Sequence, residues 1–251
     1  MSSLITHPGA PISPGDTQGI APGKALEVAL QQTLPMARLQ HQEVPHCDGL
    51  TLALINSDFP TGPLPPEVMR DVVANPAYWA FCWGSGQALA RHLLEQPEIV
   101  ANRRVLDLGS GSGVAGIAAA MAGAAQVCAC DTDLDAKLAT RYNAQINGVC
   151  IEQVDDFTAV PGFDVVLMAD VLYDKNNLPL LKAAQQVSSV VWVADSRIAN
   201  LDEPGFDPDT RIDAYTLPNL GEFDEFGTTQ IWRGTGSRVD RNTSSDTRGS
   251  T

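Results

Sequence analysis

Residues 103–116, Arg-Arg-Val-Leu-Asp-Leu-Gly-Ser-Gly-Ser-Gly-Val-Ala-Gly, constrain this chain more than any other stretch. Val105, Leu106 and Leu108 read as a buried parallel strand. Gly109, Gly111 and Gly113 follow as a tight turn, because glycine lets the backbone bend sharply and lie against a ligand. Val114 to Met121 is a run of good helix formers, with Gly123 where a helix would stop. A strand, a glycine turn and a helix start present backbone N–H groups to something anionic or strongly polar.

Two ligand classes fit that turn. Gly111, Gly113 and Gly116 spell GxGxxG, and the acidic Asp131 follows about twenty residues after the turn, as in dinucleotide sites. Asp107, two residues before the first glycine, argues the other way. A carboxylate at the strand end would repel a pyrophosphate and suit a cationic ligand. S-adenosylmethionine is such a ligand, with a sulfonium and an ammonium beside one carboxylate. The string Asp107-Leu-Gly-Ser-Gly-Ser-Gly113 resembles motif I of the S-adenosylmethionine-dependent methyltransferases, which favours the methyl donor over NAD.

Strands and helices alternate along the rest of the chain. Helices are expected over Lys24 to Gln42 (interrupted at Pro35), Glu67 to Ala74, Gln87 to Glu95, from Leu134 to a stop at Asn147-Gly148, and Leu178 to Val187. Strands are expected at Gly49 to Ile55, Gln126 to Asp131, Val149 to Val154, Phe163 to Ala169 and Ser189 to Ala194, with a closing antiparallel hairpin from residues 211–216 and 228–233. Such alternation calls for a parallel sheet with helices on both faces. Ligands of such sheets bind beyond the carboxyl ends of the strands, where residues 107–113, Asp131, Asp156 and Asp170 all fall. Asp131 there can accept two hydrogen bonds from a ribose diol, and Asp156 with Phe157 would meet an adenine ring. Tyr78, Trp79, Phe81 and Trp83 form an aromatic knot whose default meaning is core packing. The tetrapeptide Asn75-Pro76-Ala77-Tyr78 looks like the Asn-Pro-Pro-Tyr of amino-methyltransferases, but it precedes motif I and lacks the second proline, so it reads as a coincidence.

Composition narrows the partners. With 16 basic against 30 acidic residues the formal net charge is −14, and no basic run exists, which disfavours a phosphate backbone as partner. An acidic surface suits a protein segment presenting lysine. The 251 residues allow one α/β domain plus an extension. No apolar run is long enough to span a membrane, and no secretory or Arg-rich leader is recognisable. Five cysteines without a paired ligand spacing read as buried hydrophobes in a reducing compartment, so no metal site and a cytoplasmic location are expected. The expected organisation is a disordered leader over 1–23, an N-terminal extension over 24–74, the catalytic domain over 75–234 and a disordered tail over 235–251. The acidic, aromatic segment Glu222 to Phe226 would face a partner.

Motif I followed by Asp170-Val-Leu-Tyr173 resembles a family of protein lysine methyltransferases with a DxxY motif after the fourth strand. The resemblance is to the electron-transfer flavoprotein β-subunit lysine methyltransferases, including bacterial members. It rests also on Tyr78-Trp79-Ala80-Phe81 and on Trp83-Gly-Ser-Gly-Gln-Ala-Leu89, and it covers about residues 75–195. It is near the ribosomal protein methyltransferases, whose motif I is similar. The resemblance implies a Rossmann-like class I methyltransferase with a largely parallel seven-stranded sheet. It implies that Trp83, Gly109, Gly111, Asp131 and Phe157 line the S-adenosylmethionine site, and that Asp170 and Tyr173 sit beside the incoming amine. The implied substrate is a lysine of a folded protein, the electron-transfer flavoprotein β subunit or a ribosomal protein. Small-molecule amine methylation is the alternative; an NAD-binding protein or a non-catalytic donor-binding scaffold stand behind it.

Overall fold

The structure, a computed structural model, describes residues 21–160, 162–220 and 227–237. The segment 222–226, most of the expected leader and all but the first residues of the expected tail lie outside them. The elements run α1 (Pro22–Thr33), β1 (Leu39–Glu43), β2 (Thr51–Ile55), α2 (Pro66–Ala74), α3 (Gly84–Glu95), β3 (Arg104–Leu108), α4 (Val114–Met121), β4 (Gln126–Cys130), α5 (Leu134–Ile146), β5 (Glu152–Gln153), β6 (Phe163–Ala169), α6 (Pro179–Val187), β7 (Ser188–Asp195), β8 (Phe206–Asp213) and β9 (Thr228–Thr235).

Seven strands form one sheet in the order β5-β4-β3-β6-β7-β9-β8. The first five are parallel neighbours, and β9 inserts antiparallel between β7 and β8. The order reverses at β3, whose neighbours are β4 and β6. A crevice must open there, outside the carboxyl ends of the two central strands.

Alternation along each strand sorts side chains between two cores. Leu106, Leu108, Val166, Met168 and Val191 face α6, with Leu181 and Ala184 packed against them. Val105, Val165, Leu167 and Trp192 face the opposite way, under Leu89 and Leu93 of α3 and Ala115 and Ala119 of α4. The two small-residue helices approach closely: a Cβ on Gly86 would stand 2.8 Å from Val114 Cγ1.

Four expectations change. The helix expected to run to Gln42 ends at Thr33, and residues 39–43 form β1, paired antiparallel with β2. Past Pro35 the side chains of β1 are mostly exposed or half-buried, so the strand exists through its partner and not through an apolar pattern. α1 itself starts inside the expected leader, with Pro22 in the first turn, where a missing N–H costs nothing. β5 shrinks to two residues paired with Cys128 and Ala129. β8 begins five residues earlier than expected. It is an edge strand whose residues are mostly exposed and bulged near Pro208, so its sequence carries no clear period.

The 24–74 segment is not a loose appendage. Leu50, Leu52 and Leu54 share a core with Ala90, Ile117 and Ala118, while Leu26, Leu30 and Ile55 share another with Trp79, Ala136 and Ala139.

Candidate active site

At the switch in strand order lies a cavity of about 440 Å³ lined by Trp83, Leu108, Gly109, Gly111, Asp131, Phe157, Asp170 and Tyr173, among others. That size suits one small ligand. Its floor is the glycine turn. Gly109, Gly111 and Gly113 all have positive φ, at 75°, 51° and 83°. A Cβ on Gly109 would press 2.6 Å from Val171 Cγ2, and one on Gly113 would meet Thr140 at 3.0 Å. A Cβ on Gly111 would meet nothing within 4 Å. Gly111 is therefore the member of the set whose missing side chain leaves room for a ligand. Gly113 stands at the start of α4 and is absent from the cavity wall.

Asp131, just past β4, holds the turn from the side. Its Oδ2 accepts the Gly111 N–H at 2.9 Å and its Oδ1 accepts the Asp133 N–H at 3.0 Å. Each oxygen keeps a further lone pair toward the cavity, the capacity a diol needs. Phe157 lines the cavity and is buried; Asp156 is absent from the lining, and its carboxylate turns back to the Thr158 N–H and hydroxyl.

Asp107 also lies elsewhere than expected. It is buried, with Oδ2 accepting the Gly116 N–H at 2.9 Å, and it does not line the cavity. The reason is the strand's alternation: Leu106 and Leu108 point one way, and Asp107 points under α4. Burial pushes its carboxyl up to about 7, against the pull of the Gly116 hydrogen bond. Asp107 is therefore not part of the cavity wall. It instead occupies an N–H in the first turn of α4, one of the groups a pyrophosphate would otherwise bind. The third glycine of the GxGxxG string is explained by the same contact, since a Cβ on Gly116 would sit 2.9 Å from Asp107 Oδ2.

The cavity's mouth is built around Asp170, at the end of β6. Its backbone has a positive φ of 53°, uncommon for aspartate. Its carboxylate reaches across to α3, where Oδ2 accepts the Ser85 N–H at 3.1 Å and Oδ1 accepts the Ser85 hydroxyl at 2.8 Å. Asp170 therefore caps α3 from a distance while facing the cavity. That contact starts the helix at Gly84, three residues before the expected Gln87. Burial pushes the Asp170 carboxyl up to about 6; the Ser85 hydroxyl restrains the shift, the Asp195 charge adds to it, and Arg197 opposes it. Arg197 Nη1 lies 3.3 Å from Asp170 Oδ1.

The rim is aromatic. The Tyr78 and Tyr173 rings are 5.7 Å apart edge to face, and Tyr78 and Trp83 are 5.8 Å apart. Trp83 is held by its Nε1–H, which donates to the Tyr78 carbonyl at 2.9 Å. Of the aromatic knot, Trp79 is buried and Tyr78 half-exposed, and both line the cavity with Trp83. The proline-poor tetrapeptide therefore delivers a site residue, although not through the chemistry its likeness suggests. Ser85 lies in the run Trp83 to Leu89 that carries the resemblance but was given no role there, and Arg197 carried no sequence signal. Each joins the site only because α3 and the segment after β7 meet at the end of β6. Cys128 and Cys130 are buried in the core beside β3, and Cys130 reaches the cavity wall.

This strand order, with the antiparallel strand next to the last, and a glycine-turn crevice at the switch point define a Rossmann-like class I methyltransferase fold, whose donor is S-adenosylmethionine. The ribosomal protein L11 methyltransferase (PrmA) family model matches residues 87–186. The chain is 43% identical over 102 residues to the electron transfer flavoprotein beta subunit lysine methyltransferase of Danio rerio, covering 39% of this chain and 40% of that protein. It is 33% identical over 170 residues to the one of Rattus norvegicus, covering 62% and 66%. It is 47% identical over 79 residues to the ribosomal protein L11 methyltransferase of Syntrophotalea carbinolica, covering 30% and 25%. The chain is similar to protein methyltransferases of both groups. It spans from two-fifths to just under two-thirds of the length of the two flavoprotein-type relatives.

The residues present fit the donor. The gap over Gly111, the Asp131 carboxylate with capacity for further hydrogen bonds and the Phe157 ring line one cavity.

Proposed function

We propose that the chain is an S-adenosylmethionine-dependent N-methyltransferase acting on a lysine side chain of a folded protein. The electron-transfer flavoprotein β subunit is the first candidate substrate and a ribosomal protein the second. The observation that carries the reading is the carboxylate of Asp170 at the cavity mouth, flanked by Tyr78, Trp83 and Tyr173. An aromatic rim with one buried carboxylate suits a long aliphatic side chain ending in a cation.

When bound, S-adenosylmethionine supplies a methyl group already activated on a sulfonium. The chain's own task is orientation. Gly111 and Asp131 would seat the donor's amino-acid and ribose parts, and Phe157 its adenine. Asp170 accepts hydrogen bonds from the lysine head and aims its nitrogen into the cavity. A lysine near pKa 10.4 must lose a proton before its lone pair can attack, and that proton leaves to water at the open mouth. A carboxylate beside an ammonium holds the proton on, so Asp170 is a positioning anion and not a strong base. Tyr173 shapes the channel, and its phenol, pushed up chiefly by burial, stays neutral. A small-molecule amine methyltransferase would want a closed apolar lid, whereas Tyr78 and Tyr173 here are about half exposed.

The test is methyl transfer from radiolabelled donor, with purified electron-transfer flavoprotein β subunit, a ribosomal protein and the organism's own cell extract as acceptors. A labelled protein band supports the reading; a labelled small molecule or no label overturns it. Asp170→Asn should nearly abolish labelling while leaving donor affinity within about threefold, because the amide can still accept from Ser85 but cannot hold a cation. Loss of donor binding in that variant would assign Asp170 to the donor pocket.

A further inference from the structure

Arg197 places a guanidinium where the reading above puts the substrate's ammonium. Its Nη1 is 3.3 Å from Asp170 Oδ1, and its Cζ lies 5.9 Å from the Trp83 ring centroid. Both Asp170 and Trp83 line the cavity. One anionic and one aromatic partner are the two contacts a lysine head would seek there.

The contacts differ in permanence. The Ser85 bonds to Asp170 are short and come from a helix start, so they stay. The Arg197 bond is longer, and its side chain is 34% exposed, with solvent to swing into. The Arg197 backbone need not move. Asp195, buried at the end of β7, accepts the Arg197 N–H at 2.7 Å and the Ile198 N–H at 3.0 Å on one oxygen. A backbone fixed by Asp195 and a part-exposed guanidinium set against Asp170 make the geometry of a plug.

We propose that Arg197 is a built-in stand-in for the substrate cation, resting on Asp170 and Trp83 and exchanged for the incoming lysine head. This deepens the proposed function and rests on it. The exchange makes entry nearly isoelectric: one cation leaves the carboxylate as another arrives, so Asp170 is never left bare in its buried position. A neutral side chain of similar shape gains nothing by pushing the guanidinium out. Arg197 is thus a specificity determinant, admitting only side chains that replace its charge.

The ionisable groups around Asp170 are Asp195 and Arg197 after β7, Cys82 ahead of α3, whose thiol burial pushes well up, and Tyr78 and Tyr173 on the rim. At pH 8.5 the Asp170 carboxyl, near 6, is ionised, so changes in cation binding report on competition and not on its protonation.

The test uses n-butylammonium chloride, a lysine head without a backbone, titrated at pH 8.5 into the full chain saturated with S-adenosylhomocysteine and followed by tryptophan fluorescence and calorimetry. Arg197→Ala and Arg197→Gln should each bind it about fivefold more tightly than the parent, the upper end for losing a part-exposed ion pair. Arg197→Lys, which restores a resident cation, should stay within about twofold of the parent, since one charge replaces another. In methylation assays the same neutral variants should lower KM by a larger factor than they change kcat, and Arg197→Lys should return KM to the parent value, a pattern that a purely structural arginine would not produce. Equal or weaker butylammonium binding in the neutral variants, or no binding in any of them, overturns the plug. If the binding pattern holds but no protein lysine is methylated, the proposed reaction fails and the cation exchange stands.

Discussion

Each glycine of the turn has a different job, and only geometry separates them. Gly109 and Gly113 are pressed by Val171 and Thr140, Gly116 by Asp107, and Gly111 alone opens onto empty space. Gly111→Arg should therefore fold, apart from about 1 kcal/mol of strain at a positive φ, and lose donor binding outright. Its measurement is calorimetric titration with S-adenosylmethionine; retained affinity would mean that the donor does not lie over the turn. The alternating glycines were plain in the sequence. The reversal of Asp107 was not: its position beside the turn suggested a ligand contact, and the strand's alternation sends it under α4 instead. Asp156 likewise sits at a strand end but turns its carboxylate to Thr158. Position at the end of a strand does not say which way a side chain points.

Among the elements, α5 ties the glycine turn to the amino-terminal hairpin through one buried amide. Asn143 donates from Nδ2 to the Ser112 carbonyl at 2.8 Å and accepts the Ala53 N–H on Oδ1 at 2.8 Å. Asn143→Ala would orphan both backbone groups, so a loss of roughly 2–4 kcal/mol is expected at about 1–3 kcal/mol for each unsatisfied buried group less some relaxation. Thermal or urea unfolding measures it, and donor affinity should fall as well because the turn loses a support. α3 is a similar case, begun three residues early by a carboxylate some 85 positions downstream in sequence. Periodicity revealed α3, α4, β6 and β7 because each is buried on a regular face. It missed β1 and the start of β8, which are mostly solvated and exist through their strand partners.

At the scale of the molecule, two buried carboxyls place a pH dependence on the fold. Asp107 sits near 7 and Asp170 near 6, both above the unfolded value of about 3.9. The native state therefore holds protons that the unfolded chain has released. Their contribution to stability is complete below about pH 4 and is lost as pH rises through 6 and 7. Comparing the parent with Asp107→Asn removes the other groups' titrations from the difference. Between pH 5 and 8 the variant should gain on the parent by on the order of 2 kcal/mol. Denaturant unfolding at the two pH values checks this; a constant difference would show that Asp107 is ionised throughout.

By itself, the sequence determined the local matters: which runs are strands buried on both faces, where only glycine can turn, the alternation that demands a parallel sheet, and motifs that mark the family. These follow from short-range sterics and from a periodicity that burial imposes on neighbouring residues. The tertiary structure alone decided which acids face the cavity, that Ser85 holds Asp170, and that Arg197 rests on it. Those contacts join segments far apart in the chain, where no local pattern constrains the pairing and only the packed sheet and helices bring the atoms within reach.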